Sequence, residues 1–301
     1  MIKTLDPNKI PQAELHGYLL SAVAPRPICF ASTIDKDGNV NLSPFSFFNV
    51  FSSNPPLMIF SPARRGRDNT TKHTYENVKE VPEVVINIVN YPMVEQMSLS
   101  STEYDKGVNE FVKAGFTEVA SEKVKPPRVG EAPVSFECSV QEVIELANAP
   151  GAGNLVLAKV ELIHINDAYL DANNALDTHK LDLVARMGGS WYCHANGDAL
   201  FEIPKPLKTK GIGVDSLPEY ARNSTVLTGN DLGRLGNLET LPDAASIESL
   251  KQDQAIKDLI DTHKNNTSAL KIALETLAKE HLKEGKPQKA LAVLMLYVSK
   301  V

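Results

Sequence analysis

The residue types best suited to holding a ligand form one run, residues 41–56, which contains four Phe, four Ser and three Asn. The phenylalanines can cover a flat apolar ligand, and the short polar side chains offer hydrogen bonds at fixed positions. An apolar pocket with a few fixed polar groups gives both affinity and orientation. The same run also fits an ordinary strand and turn of a β-barrel with Phe in its core. The run alone leaves both interpretations open.

A second run, residues 61–79, is basic and rich in hydroxyl groups. We expect it to begin as a loop and to continue as a helix capped by Asp68 or Asn69. Helix N-terminal amides and charge-assisted bonds from Arg or Lys both favour an anion at such a place, so the run indicates a phosphate site. The alternative is a solvated surface loop. The cations and hydroxyl groups that support the phosphate interpretation are Arg64, Arg65, Arg67, Lys72, Thr70, Thr71 and Thr74.

The elements around these two runs are mostly strands. An Asp-Gly pair within residues 35–39 indicates a hairpin, because tight turns need the positive φ that glycine supplies. Mostly strands with helices inserted between them favour a closed or partly closed barrel. We predict strands at about 28–34, 57–60, 83–90, 134–146 and 155–166, and helices at about 11–20, 93–100 and 108–114.

The last third of the chain has a different character. Residues 204–206, Pro-Lys-Pro, fit a linker, and we predict a domain over residues 1–204 followed by an extension over 205–301. The extension opens as a loop-rich strap with one short helix at 218–223 and becomes helical from Pro242, with apolar residues at helical spacing. Residues 268–297 resemble one tetratricopeptide-like hairpin, but at least three such units are needed for an array. We expect either a helical appendage that covers the barrel or mediates self-association, or a docking module for a partner protein.

Composition excludes several classes of function. The chain has 301 residues and a formal charge of −6, which gives no reason to expect nucleic acid as a partner. A run of about 18 apolar residues is missing, so we expect no membrane span. The N-terminal residues lack an apolar signal core, which favours a cytoplasmic location. An odd count of three cysteines indicates free thiols in a reducing compartment.

Side chains for acid–base or metal chemistry are scattered. No nucleophile–base triad and no His, Cys or carboxylate cluster with metal-ligand spacing is present in the sequence. We therefore expect neither a catalytic side chain nor a metal site. His194 is the histidine of most interest, because Trp191 and Tyr192 lie close to it in sequence.

A set of short motifs, in a fixed order, resembles the flavin reductase-like family, whose fold is the FMN-binding split β-barrel. The resemblance covers about residues 21–203. No single tripeptide is specific, but the ordered set is. It comprises Arg26-Pro27-Ile28, Ala31-Ser32-Thr33, Asp37-Gly38, residues 41–46, Asn54-Pro55-Pro56, Lys72-His73-Thr74 with Asn77-Val78, residues 84–89, Gly153-Asn154-Leu155-Val156, and Arg186-Met187-Gly188-Gly189 before Tyr192.

This resemblance implies roles that spacing alone could not assign. FMN would lie against the barrel near a homodimer interface. The phosphate would be held by Lys72 and Thr74, with Arg64 or Arg67 as helpers. His73 departs from the family, which often has Asp there, and Ala158 stands where a glycine is common. The residues that would face the flavin are Ser32, Thr33, Asn41, Ser43, Phe45, Ser46, Phe47 and Phe48.

The function implied by the resemblance is that of a flavin reductase-type oxidoreductase. NADH or NADPH would reduce the flavin, and electrons would pass to free flavin, to a partner protein or to another acceptor. The cofactor performs the hydride and electron transfer, so the protein needs only to bind and orient it. Two alternatives remain: an FMN-carrying electron-transfer protein reduced by another protein, and a scaffold without catalytic activity.

Overall fold

The structure, a computed structural model, describes residues 1–204, 206 and 209–298. The chain divides into two compact units, Met1–Phe201 and Glu202–Val301. Lys205, in the middle of the predicted linker, lies outside the described residues. The domain boundary at 204–205 stays a prediction.

The first unit is built mainly from antiparallel strands, as predicted. Its helices are α1 Gln12–Ala22, α2 His73–Glu80, α3 Val94–Ser100, α4 Glu110–Ala114 and α5 Thr178–Leu181. Its strands are β1 Arg26–Pro27, β2 Cys29–Ile34, β3 Val40–Phe45, β4 Phe48–Ser53, β5 Pro56–Phe60, β6 Glu83–Ile88, β7 Glu118–Val119, β8 Arg128–Val129, β9 Val134–Glu145, β10 Asn154–Ile165, β11 Leu183–Arg186 and β12 Tyr192–Ala195.

Within the described residues these strands form a seven-stranded sheet in the order β3-β2-β6-β9-β10-β5-β4. A three-stranded sheet, β1-β11-β12, and the short pair β7-β8 accompany it. Strand β4 lies at one edge of the large sheet and pairs only with β5 there. Strand β4 carries part of the aromatic run, so these residues lie at an edge of the large sheet.

Strand β2 is the central support of the site, because both of its faces are buried. Phe30 packs in a core cluster with Met97 and Phe111 of the inserted helices. Cys29 and Ala31 point the other way, into the cluster inside the sheet. Side chains alternate between the two faces of a strand, and with both faces covered, Ser32 and Thr33 are buried polar residues in an otherwise apolar strand.

The predicted hairpin joins β2 to β3. The Asp35 carboxylate accepts hydrogen bonds from the backbone amides of Asp37 and Asn39, both at 2.9 Å. Gly38 has a φ of +86°, a conformation that side chains with a Cβ rarely adopt. The turn fixes the register in which Thr33 lies opposite Asn41.

The second unit is helical, with its own core. Its helices are α6 Glu219–Arg222, α7 Gly229–Gly236, α8 Ala244–Gln252, α9 Gln254–His263, α10 Thr267–Lys283 and α11 Pro287–Val298. Helix α11 is apolar from Ala290 onward, and residues such as Leu291 and Leu294 are fully buried. Gly285, with a φ of +73°, separates α10 from α11, and a glycine in this conformation commonly ends a helix.

Two predictions about helices were wrong. Helix α2 begins at His73, with Lys72 at the N-cap and no side-chain cap, instead of being capped by Asp68 or Asn69. The strap contains α7 in addition to the short helix near 218–223. Glycines lower helix propensity, but Thr228 and Asp231 form a reciprocal capping box at the start of α7, and such a box stabilises a helix start.

None of the helices in the described residues is long and apolar enough to cross a membrane.

Candidate functional site

A buried polar cluster fixes the start of α2 against β2 and β3. Asn41 donates from Nδ2 to Thr74 Oγ1 at 2.9 Å, and Asn77 donates from Nδ2 to Thr33 Oγ1 at 3.2 Å. All four side chains are buried. Buried polar groups are costly unless they are paired, so these two bonds set the position of the first turn of α2. The structure thus brings together three of the predicted site residues: Thr33, Asn41 and Thr74.

Lys72, the N-cap residue of α2, is the cation beside this polar cluster that is available to a ligand. Its side chain is half-buried, and within the described residues its ammonium makes no hydrogen bond or ion pair. Burial, and secondarily the charge of Arg65, lower the pKa of Lys72. The first amides of a helix have no intrahelical carbonyl to bond. An unpaired cation beside free helical amides is a place that favours an anion.

The neighbouring arginines are less free. Arg65 Nε lies 3.1 Å from Glu103 Oε1, and Arg67 Nη2 lies 2.5 Å from Glu103 Oε2. Arg67 also contacts Asp68 at 3.0 Å, and its side chain is 69% exposed. Glu103 therefore forms ion pairs with two of the arginines that supported the prediction of a phosphate site. Sequence reasoning missed this carboxylate, which is distant along the chain and belongs to no motif.

Arg64 is placed by the turn between β9 and β10. Its backbone amide donates to Ala152 O at 2.8 Å, and its carbonyl accepts from Gly151 N at 3.2 Å. Its Nε donates to Asn69 Oδ1 at 2.8 Å. The same turn is joined to the loop where Asn154 Nδ2 donates to Pro62 O at 2.9 Å. The start of the basic loop is thus held against the turn between β9 and β10 by two backbone bonds and one side-chain bond.

The aromatic run divides between core and surface. Phe45 is buried, with its ring centroid 5.3 Å from that of Phe60, and Phe48 packs against the same core cluster. Phe47 and Phe51 are 41% and 63% exposed. Both interpretations of the run thus describe part of it, because some phenylalanines fill the core and others are available on the surface.

The serines of the site also differ in access. Ser43 and Ser46 are half-buried, and Ser46 Oγ accepts from Arg26 Nε at 3.4 Å. Ser32 is fully buried, and its hydroxyl has no hydrogen-bond partner among the residues that the structure describes. Ser32 and Thr33 are buried as whole residues, backbone included, so in this conformation neither is accessible to a ligand.

Arg26 is a structural residue that its motif did not explain. Its guanidinium donates to Leu20 O at 2.5 Å, Val23 O at 2.6 Å and Met187 O at 3.0 Å. Burial, and then the charge of Arg186, lower the pKa of Arg26. The side chain joins the end of α1 to the residue after β11.

His194 belongs to a separate cluster. Its Nε2 lies 2.5 Å from Asp182 Oδ1, and its ring stacks on Tyr91 with centroids 4.1 Å apart. The bond to His194 lowers the pKa of Asp182. This arrangement orients an imidazole beside a cavity of about 260 Å³. In the described part of the chain, no group of three His, Cys, Asp or Glu side chains is placed to hold a metal ion.

The two departures from the family motif lie in different surroundings. His73 is the first residue of α2 and is half-buried beside Lys72. Ala158 is fully buried in the core cluster inside the sheet. Its methyl group therefore contacts the core, and it does not narrow the space over an outer surface.

Comparison with known proteins gives one family and several similar structures. Residues 21–180 match the model of the flavin reductase like domain. An uncharacterized protein of Aquifex aeolicus is 38% identical over 189 residues, which are 63% of this chain and 94% of that protein. Nitrilotriacetate monooxygenase component B from Bacillus cereus has a similar structure, with a TM-score of 0.63, 25% identity, and coverage of 67% of this chain and 99% of its own. A split barrel domain protein from Shewanella frigidimarina gives a TM-score of 0.56 and 27% identity, over 66% of this chain and 95% of its own.

Proposed function

Because the chain belongs to the flavin reductase-like domain family, we propose that it is an FMN-dependent oxidoreductase. It takes electrons from NADH or NADPH and passes them to free flavin or to a partner protein. The family match supports the flavin. The likeness to a monooxygenase component B supports a role in supplying electrons to another protein.

The half-buried, unpaired ammonium of Lys72 is the observation that carries this proposal. A phosphate beside the first turn of α2 gives that cation a partner and receives the free helical amides. Arg64 lies in the same loop and completes the set. Thr74 accepts a hydrogen bond from Asn41, and this bond supports the first turn of α2. Arg67 joins the phosphate only by leaving Asp68 and Glu103.

The ring system of the flavin lies, in this proposal, against β2 and residues 41–48. Ser32, Thr33, Asn41 and Phe45 are buried and support this surface from beneath. Ser43, Ser46, Phe47 and Phe48 offer side chains. When bound, FMN supplies the hydride and electron chemistry. The chain's own residues bind the phosphate, orient the ring and exclude water from one of its faces.

We propose further that the protein is a homodimer. Val50 and Phe51 of the edge strand β4 are 60% and 63% exposed, and large apolar side chains on an exposed sheet edge favour association. Phe51→Ser is expected to give a monomer by light scattering. A variant that stays dimeric would exclude β4 from the interface.

The experiment that tests the function is an anaerobic absorbance spectrum of the purified protein, before and after addition of NADH or NADPH. Flavin bands that bleach with either nucleotide establish the reductase and its nicotinamide preference. Bands that stay oxidised with both favour an electron-transfer protein reduced by another protein. Absence of flavin, even after incubation with FMN and desalting, refutes the cofactor assignment and leaves a scaffold.

A further inference from the structure

Three ring side chains of the first unit are held in fixed positions on the surface, and the proposed function uses none of them. Tyr91 and Tyr192 are 52% and 38% exposed, and the side chain of His194 is 42% exposed. All three line one cavity of about 260 Å³. Core packing does not require rings that remain this accessible, so their arrangement needs another explanation.

Asp182 fixes two of these rings. Its carbonyl accepts from the backbone amide of Tyr91 at 2.8 Å, and its carboxylate lies 2.5 Å from Nε2 of His194. Asn196 Nδ2 donates to the same carboxylate oxygen at 2.5 Å. The φ of Asp182 is +52°, which is uncommon for a residue with a side chain, and such a conformation persists where the surrounding structure holds it. Tyr91 and His194 are thus stacked on each other with both rings anchored to one residue.

The charges around this cavity favour a cation. Glu95 of α3 lines it and is exposed, and within the described residues its carboxylate forms no ion pair or hydrogen bond. None of the described residues that line the cavity is Lys or Arg. The bond to His194 lowers the pKa of Asp182, so this second carboxylate is ionised at neutral pH. Glu95, Asp182 and His194 together carry net negative charge in either protonation state of the imidazole, and this charge attracts a cation and repels an anion.

The tyrosine rings add to this attraction. Tyr192 already contacts a cation, because Cζ of Arg186 lies 4.6 Å from its ring centroid. Arg186 is not among the residues that line the cavity, so its guanidinium covers a part of the ring that lies outside it. Val94 and Val184 contribute apolar walls. Aromatic faces attract cations, most strongly where water is excluded, and cages of aromatic rings recognise quaternary ammonium groups.

We propose that this cavity binds a small quaternary alkylammonium ion. Tyr91, Tyr192 and His194 contact its methyl groups, and Glu95 balances its charge. A quaternary ammonium is preferred to a primary one, because a primary ammonium is strongly hydrated and one exposed carboxylate replaces little of the water that it would lose. The cavity is smaller than the range of about 300–1,000 Å³ that is usual for drug-sized ligands, which fits a ligand of few atoms. None of these residues is assigned to flavin binding, so the site is independent of the proposed oxidoreductase activity.

The test uses the full-length protein and isothermal titration calorimetry, with choline as the probe. Wild type is expected to bind choline at one site. It is expected to bind neohexyl alcohol, the neutral analogue in which carbon replaces the charged nitrogen, much more weakly. Ethanolamine, which carries a primary ammonium, is also expected to bind more weakly than choline. No binding of choline by wild type, or binding of either analogue as tight as that of choline, would overturn the proposal.

Two substitutions of Tyr91 separate a binding role of the ring from a structural one. Tyr91→Leu keeps apolar bulk and removes the ring, so choline binding is expected to weaken roughly 3- to 30-fold. Tyr91→Phe keeps the ring and is expected to bind choline as wild type does. Equal losses of affinity in the two variants would overturn the proposal, since the aromatic face would then not be the group that binds.

The charge is tested at Glu95, an exposed position where a substitution is not expected to disturb the fold. Glu95→Gln is expected to weaken choline binding several-fold. Glu142→Gln removes an exposed charge outside the lining of the cavity and serves as the matched control, so equal choline affinities of these two variants would overturn the proposal. Flavin content, measured in every variant, is expected to stay as in wild type, which keeps a failure of choline binding distinguishable from a failure of the proposed oxidoreductase activity.

Discussion

Replacing Lys72 by Met tests the phosphate site at its most informative residue. The substitution keeps most of the stem and removes the charge. A hydrogen bond to a charged group contributes about 1.5–3 kcal/mol, so the loss predicts a dissociation constant for FMN that is roughly 10- to 150-fold higher. The fold is expected to remain, because within the described residues the Lys72 ammonium bonds to nothing that the substitution would leave unpaired.

The assay is a titration of the apoprotein with FMN, monitored by quenching of flavin fluorescence, and a parallel titration with riboflavin. Riboflavin lacks the phosphate, so wild type is expected to bind it more weakly than FMN, and Lys72→Met is expected to lose most of that difference. The control is Lys79→Met, at the other end of α2, where an exposed pair with Glu145 is removed. Exposed pairs contribute about 0–1 kcal/mol, so this control is expected to bind both ligands nearly as wild type does.

The pH dependence follows from the lowered pKa of Lys72. Burial makes the free protein release this proton at a lower pH than an ordinary lysine, while a bound phosphate favours the ammonium. FMN binding should therefore take up protons and weaken as the pH rises through the pKa of Lys72 in the free protein. Lys72→Met should lose this dependence. The reasoning is refuted if Lys72→Met binds FMN as wild type does, or if it weakens riboflavin as much as FMN.

Three further predictions concern the surroundings of the site. Asn41→Ala leaves Thr74 without its buried partner and is expected to lower the free energy of unfolding, measured in urea, by about 1–3 kcal/mol. The control Asn49→Ala, at an exposed position, should change this free energy by about 0.5 kcal/mol or less. Equal effects of the two variants would exclude the buried cluster as a support of α2. Glu103→Gln releases Arg65 and Arg67, so FMN should bind several-fold more tightly in low salt, and this gain in affinity should shrink in high salt. Weaker binding of FMN would show instead that Glu103 holds the loop in the conformation that binds the phosphate. Burial raises the pKa of Cys138 to about 12 and also raises that of Cys29. A thiol reagent at neutral pH should therefore label only Cys193 in the native protein and all three cysteines after unfolding. Rapid labelling of more than one cysteine in the native protein would show that the sheet opens.

The sequence predicted those features that depend on local pattern. Strand β2 was predicted from the β-prone residues 28–34, and the turn at Gly38 from the Asp-Gly pair, because both depend on neighbours in the chain. The ordered motifs, which are also patterns of neighbouring residues, predicted the family. The start of α2 was missed because Thr74 and Asn77 are fixed by Asn41 and Thr33, and tertiary bonds of this kind override capping preference.

Pairings over long sequence distances were beyond prediction. Glu103 neutralises two arginines from a separate segment, and no spacing rule connects them. The division of the phenylalanines depends on the register of β4 against β5, which places Phe48 opposite Phe60. Helix α7 was hidden by its glycines, yet Gly236 is needed there, because a Cβ would lie 2.9 Å from the backbone nitrogen of Val214.

The two units call for separate functional explanations. The Aquifex relative is matched over 94% of its length by 63% of this chain, so more than a third of this chain has no counterpart in that protein. The family match ends at residue 180, before the helical unit begins at Glu202. Flavin binding, as proposed, uses residues of the first unit alone. The helical unit has a core of its own, and within it the carboxylate of Glu275 is fully buried at an energetic cost that flavin binding does not explain.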